Sequence, residues 1–247
     1  MTVKNYIVNS VRPIRNGWML EKNRDLYLAY QKMSQYSRAS YEHYVEEPFE
    51  YIQLTEEVDD NDTYTLAVWE DIKRIWNQEP CNIFFAGADT IMIRPTSLFG
   101  DRFKEYRMFN YTDPKSEGEF QHYFNDDIQY YPHTMSRTVW DLGEQLWSQR
   151  VGHPYQHWGF DQVRHNYMFW SQDIPMEDRF HPELAYQAMN LRALSEQAIA
   201  WHNSWNGIDI NAAHILHFHA SRGSQQVIDL MKYFCDYLEI PYDNSNT

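Results

Sequence analysis

The chain has 247 residues, enough for one large domain or two small ones with a sizeable core. Its formal net charge of −14 argues against a broad phosphate-binding surface of the kind nucleic-acid binders carry, and no stretch approaches the roughly 20 apolar residues of a membrane span. Residues 1–13, MTVKNYIVNSVRP, lack the apolar centre of a signal peptide, and Cys81 and Cys235 lie in apolar contexts as buried free thiols would, so a cytoplasmic protein is expected.

Short apolar strands alternate with helical patterns through the first hundred residues. NYIVNS (5–10) predicts a strand, 24 to about 36 a helix, and FEYIQLT (49–55) a second strand. Within 65–77, Trp69, Ile72 and Trp76 fall on one helical face. The acidic run EEVDDND (56–62) reads as a solvated loop. It is not a calcium loop, because Tyr64 stands where one starting at Asp59 needs glycine. NIFFA (82–86) is continuously apolar, as parallel strands covered on both faces tend to be. The order β-α-β-α-β predicts a parallel α/β sheet.

The second half is of mixed character. FNDDIQYYP (124–132) predicts a strand and 136–150 a helix. Leu184, Ala188, Leu191, Leu194 and Ala198 step at helical spacing, predicting an amphipathic helix over 183–200. HILHFH (214–219) reads as a short strand, and Ser224 as the cap of a last helix carrying Val227, Met231, Phe234 and Leu238.

Four constellations could carry chemistry. Asp89 follows the strand end of NIFFA, and in open α/β sheets ligands bind beyond the carboxyl ends of the strands. A carboxylate there suits a divalent cation; a turn aspartate bonding its own backbone is the plainer reading. In HILHFHASRG, strand alternation puts His217 and His219 on one face, followed by Arg222, either as a metal ligand beside a phosphate clamp or as polar edge-strand residues. In FNDDIQYY, the adjacent Asp126 and Asp127 point to opposite faces, so one of them could reach the crevice while Asn125 precedes them. In HWGFDQVRHN, Trp158-Gly159 offers a flat platform beside Asp161 and Gln162, which suits sugar recognition, or Asp161 is a helix N-cap. GxSxG, P-loop, GxGxxG and HExxH motifs are all missing.

In this order the segments resemble nucleotide-sugar glycosyltransferases of the GT-A fold, especially the glycogenin and bacterial lipopolysaccharide galactosyltransferase group. IFFAGADTIMIRP is similar to that family's strand, Asp-x-Asp motif and following strand. YFNDDIQYYP is similar to its Phe-Asn-Ser/Ala-Gly segment, WGFDQVRHN to its Asp-Gln-Asp…Asn segment, and ILHFHASRG to its C-terminal Ile-His-Phe segment. The resemblance spans roughly residues 5 to 222.

It implies an α/β, Rossmann-like fold with a mixed, mostly parallel sheet flanked by helices in a single domain. Residues 1–100 would be the nucleotide-sugar-binding half, and 101–247 the acceptor-binding half with the C-terminal helices. Asp89 would match the second aspartate of the motif and, with His217, hold Mn²⁺ or Mg²⁺. Arg222 would touch the donor diphosphate, and Asn125, Asp161 and Gln162 would fall at donor-sugar and acceptor contacts. Ser10, Arg12 and Asp127 are placed with the donor-binding residues as well. Two departures stand out. Gly87 replaces the first aspartate of the motif, and Asp126 and Asp127 replace the small residues after the asparagine. Either His219, on the same predicted face as His217, or a water would stand in for the missing carboxylate, or the metal would be held weakly and mainly through the donor's phosphates.

The implied activity is sugar transfer from a nucleoside-diphosphate sugar, UDP-sugar foremost, to an acceptor hydroxyl. The acceptor could be a glycan, a lipid-linked sugar, a protein or a modified DNA base of the kind met in phage-like settings. Retention of configuration is expected; for inversion, Asp161 would be the general base. Two other readings stand beside it. One is a GT-A-like carbohydrate- or nucleotide-binding protein without turnover, kept in view by Gly87. The other is a sugar-phosphate nucleotidyltransferase, for which NSVRPIRNG offers only Arg12 and Arg15 in place of a Gly-rich basic loop.

Overall fold

The computed structural model describes residues 2–15, 20–99, 103–111, 124–149, 185–187, 210–218 and 224–243. In chain order these form β1 (Lys4–Ser10), α1 (Leu20–Tyr44), β2 (Glu50–Leu54), α2 (Asn61–Gln78), β3 (Cys81–Ala86), β4 (Thr90–Met92), β5 (Arg107–Tyr111), β6 (Phe124–Tyr131), α3 (Thr138–Ser148), β7 (Ala185–Gln187), β8 (Ile215–His217) and α4 (Ser224–Tyr237).

The main sheet runs β2-β1-β3-β6-β5. β1 pairs in parallel with β2 and β3, whereas β6 is antiparallel to both β3 and β5. A second sheet, β4-β8-β7, has β8 antiparallel to β4 and parallel to β7. The sequence order of strands and helices therefore yields a mixed sheet whose parallel part is its N-terminal half, in a single domain.

β3 is buried at all six positions, which explains its unbroken apolar run. Its alternate residues serve two cores. Cys81, Ile83 and Phe85 join Tyr6 and Val8 of β1 against Trp69, Ile72 and Ile75 of α2 and Val139 and Trp140 of α3. Phe84 and Ala86 join Ile7 of β1 on the other face, against Tyr41 of α1. A third cluster locks Ala29, Met33 and Tyr36 of α1 to Ile91 of β4, Leu216 of β8 and Val227, Met231 and Phe234 of α4. The predicted face of Trp69, Ile72 and Trp76 thus packs on the sheet, and α4 begins at Ser224 and buries its predicted apolar stripe.

Three differences have local causes. α1 runs to Tyr44 rather than about residue 36, although SRASYEHY carries little apolar periodicity. Ser37 and Ser40 are buried there: the Ser40 hydroxyl donates to the Ser37 carbonyl (2.7 Å) and accepts the Met92 N–H (2.9 Å). Small hydroxyls that satisfy themselves this way can face a core without an apolar signature. β5 was not anticipated; its residues RMFNY gain their strand state from pairing with β6. Residues 185–187 form β7, not the start of a helix over 183–200, because β8 offers a parallel edge in register Ala185↔Ile215, Tyr186↔Leu216 and Gln187↔His217. Tertiary pairing overrides local periodicity here; the rest of 183–200 lies outside the described residues.

Both cysteines are free and buried, and burial pushes each thiol up to about 12, which leaves them poor nucleophiles. No helix among the described residues is long and apolar enough to cross a membrane.

Candidate active site

Gly87, Ala88 and Asp89 join β3 of the main sheet to β4 of the second sheet. The link is held by its own backbone and by both neighbours. The Thr90 hydroxyl and N–H both donate to the Gly87 carbonyl, at 2.7 and 3.2 Å, closing a tight turn. The Tyr41 and Thr90 hydroxyls are 3.2 Å apart, tying the turn to α1. The Asn9 side-chain amide donates to the Ala86 carbonyl at 2.7 Å, fixing the carboxyl end of β3 to β1.

Two strands then bring partners to Asp89. On the second sheet, Thr90 pairs with His217, and the Phe218 N–H donates to the Asp89 carbonyl at 2.8 Å. On the main sheet, Ala86 pairs with Ile128, so Asp127 of β6 comes opposite Gly87, whose N–H donates to the Asp127 carbonyl at 2.6 Å. The result is a cluster of Asp89, Asp127 and His217, with one ligand atom of each lying within 4.8 Å of the others. His217 Nε2 is 3.0 Å from an Asp127 oxygen and 3.6 Å from an Asp89 oxygen. His217 is fully buried, Asp89 is 5% exposed, and Asp127 is half-buried, which leaves the cluster open on one side.

The electrostatics follow from this placement. Burial alone would lower the His217 pKa, but the Asp89 and Asp127 carboxylates more than offset it and hold the group up at about 10. With no cation bound, the imidazolium thus neutralises one of the two carboxylates at neutral pH. Because the folded pKa is raised, this contribution to stability is complete below about 6.5 and is lost as pH rises through about 10. A divalent cation would take over the imidazolium's role, since only the neutral ring can ligate. The donor set fits one. Two carboxylates and one imidazole suit Mn²⁺ or Mg²⁺, and a Cβ added at Gly87 would lie 3.0 Å from an Asp89 carboxylate oxygen, within the cradle itself.

Around the cluster stand two tyrosines that the sequence does not mark as site residues. Burial and the Asp89 and Asp127 carboxylates raise the Tyr30 phenol well above its usual value. Burial chiefly, against a hydrogen bond to Ser10 and the Arg12 charge, pushes Tyr64 up to about 12. The Tyr64 hydroxyl donates to the Ser10 carbonyl at 3.0 Å and so anchors the carboxyl end of β1. Two tyrosines in a chain with 19 carry no local signal that would mark them.

The other predicted site residues fall as follows. Ser10 is buried at the end of β1 and accepts a hydrogen bond from Arg12 Nε at 3.3 Å. The Arg12 side chain is 2% exposed and ion-paired with Asp71 of α2. Burial would raise the Asp71 carboxyl, but hydrogen bonds from Arg74 and Arg12 bring it below its usual value. Asn125 lies in β6 opposite Asn110 of β5. Asp127, placed beforehand with the donor contacts, stands in the metal-competent cluster. Asp161, Gln162, His219 and Arg222 lie outside the described residues.

The chain is similar to solved glycosyltransferases. One is a glycosyltransferase involved in the glycosylation of the major capsid of PBCV-1: TM-score 0.52, 12% identity, covering 93% of this chain and 99% of the other. An active-site mutant of LgtC has a TM-score of 0.54 at 10% identity, with 92% of this chain and 95% of the other covered. The galactosyltransferase LgtC, in complex with donor and acceptor sugar analogues, has a TM-score of 0.51 at 10% identity over the same shares, 92% and 95%. No protein-family model matches the sequence, and no curated protein matches it. The fold is the GT-A fold of glycosyltransferases. Its carboxylate–imidazole cluster lies at the carboxyl end of β3, where open α/β sheets place their ligands.

Proposed function

We propose that the protein is a divalent-metal-dependent glycosyltransferase that moves a sugar from a nucleoside-diphosphate sugar, UDP-sugar foremost, to an acceptor hydroxyl. The observation that carries this reading is the Asp89–Asp127–His217 cluster at the carboxyl end of β3 within a GT-A fold. Cleaving the bond between an anomeric carbon and a diphosphate builds negative charge on the departing oxygen. A bound Mn²⁺ or Mg²⁺ supplies electrostatic stabilisation of that charge.

The chain's own residues do the rest. Asp89, Asp127 and His217 are the groups that would hold the cation, with Asp89 set in place by the Phe218 N–H and by the Thr90 turn. Residues 1–100 form the donor half in this reading, with Ser10 and Arg12 at the end of β1; residues 101–247 form the acceptor half. Asn125 belongs with the donor sugar, Arg222 with the diphosphate, and Asp161 and Gln162 with the acceptor face, with configuration retained. A protein that binds without turning over was suggested by Gly87 lacking a carboxylate. Asp127 brings a second carboxylate to the same cluster, which favours the transferase.

Many transferases slowly hydrolyse their donor, which makes the test simple. With a panel of nucleotide sugars and Mn²⁺, one donor is expected to release its nucleoside diphosphate, and chelation with EDTA to stop it. Release from none of them counts for binding without turnover.

A further inference from the structure

Position 87 is glycine for a reason that lies on another strand. Along β3, Cys81, Ile83 and Phe85 face the core that contains Trp69 and Trp140, and residue 87 continues on that face. Along β6, Asp127 shares a face with Gln129 and Tyr131, and Tyr131 belongs to the same core. The Ala86↔Ile128 register sets residues 87 and 127 against each other. A Cβ at residue 87 would sit 3.1 Å from the Asp127 Cβ and 3.4 Å from its carboxyl carbon. Facing Cβ atoms in antiparallel pairs ordinarily keep about 4.5–5.5 Å. With this backbone, a side chain at residue 87 would crowd Asp127, and one of the two would have to give by a few tenths of an ångström.

Either position would aim that side chain at the same place. The Cβ at 87 would be 3.0 Å from the Asp89 carboxylate, and the Asp127 carboxylate already reaches His217 at 3.0 Å. We infer that Asp127 is the transposed second carboxylate of the metal site: the acid that residue 87 lacks is supplied from β6, and Gly87 is the space it needs. The sequence carries the reciprocal trace. Where the resembled family has Asp-x-Asp and Phe-Asn-Ser/Ala-Gly, this chain has Gly-Ala-Asp and Phe-Asn-Asp-Asp, so aspartate and glycine have changed places. Asp127, which the described residues show in the cluster, takes the role for which His219 was one candidate. The inference rests on the metal-site reading above.

The test compares wild type with Asp89→Asn, Asp127→Asn, Gly87→Asp and the double variant Gly87→Asp/Asp127→Gly. Each is titrated with Mn²⁺ alone and followed by the free-Mn²⁺ electron paramagnetic resonance signal. Melting without metal checks folding. Asp127→Asn should weaken Mn²⁺ binding about tenfold or more, the loss that even an outer-shell partner causes. Gly87→Asp alone should lower the melting temperature, since its Cβ crowds the Asp127 side chain and it adds a third carboxylate. The double variant should bind Mn²⁺ distinctly better than Asp127→Asn and melt above Gly87→Asp. Unchanged affinity in Asp127→Asn, with Asp89→Asn impaired, overturns the transposition and leaves the metal site standing. Unchanged affinity in both overturns the metal-site reading itself. Should Asp127→Asn fail to fold, Asp127→Ser carries the same comparison.

Discussion

Asp89→Asn is expected to reduce metal-dependent donor hydrolysis by about two to three orders of magnitude while the protein stays folded. The magnitude is that of removing one preorganised group that stabilises the charge of a transition state. Asparagine keeps the shape of the side chain but loses the charge that a divalent cation requires. The backbone contacts of residue 89 are independent of that change: the Phe218 N–H bonds its carbonyl, and the turn is closed by Thr90 on Gly87. His217 also keeps Asp127 at 3.0 Å, so the buried imidazole is not left without an acid. Steady-state hydrolysis at saturating Mn²⁺, with melting curves alongside, checks this. A rate within threefold of wild type would remove Asp89 from the chemistry.

Trp140→Ala is expected to destabilise the fold by about 3–5 kcal/mol, the usual loss for a buried tryptophan. Trp140 is 2% exposed. Its ring stacks on Tyr131 at 5.3 Å and 6°, and meets Trp69 edge-on at 4.6 Å and Trp76 at 5.8 Å. Such aromatic pairs contribute beyond the area they bury. For a chain of this size the loss corresponds to a fall of roughly 10 °C in melting temperature. Trp140→Phe should cost distinctly less: it keeps a ring on Tyr131, and the indole N–H of Trp140 has no hydrogen-bond partner among the described residues to forfeit. The site should feel the change too, because Tyr131 lies on β6, the strand that presents Asp127. A loss of less than about 1 kcal/mol would mean that α3 is not anchored by this layer.

How much of this was legible depended on how local the cause was. β1, β3 and α4 could be read because burial on both faces, or on one helical stripe, writes itself into the apolar pattern. The second half of α1 could not, since its core contacts run through serines that bond within the helix and to Met92. β7 was hidden for another reason: its strand state comes from pairing with residues thirty positions further on. The site divides the same way. Asp89 and His217 were marked by a strand end and by alternation, and the pairing of Thr90 with His217 brings them together. Asp127 was seen as one of two acids on opposite faces, but which of them meets the crevice depends on the Ala86↔Ile128 register. The same register turns Gly87 from a missing ligand into room for one.

The most direct measurement is a thermal-shift series with UDP, GDP and CMP, each with and without Mn²⁺, on wild type and Asp89→Asn. A ligand present at 100 times its Kd stabilises the folded state by about 2.7 kcal/mol. For a chain of this size that amounts to roughly 5–10 °C. A nucleotide-sugar site built on Asp89, Asp127 and His217 predicts such a rise with a nucleoside diphosphate, dependent on Mn²⁺ and lost in Asp89→Asn. No rise with any nucleotide, or an equal rise in Asp89→Asn, would contradict it.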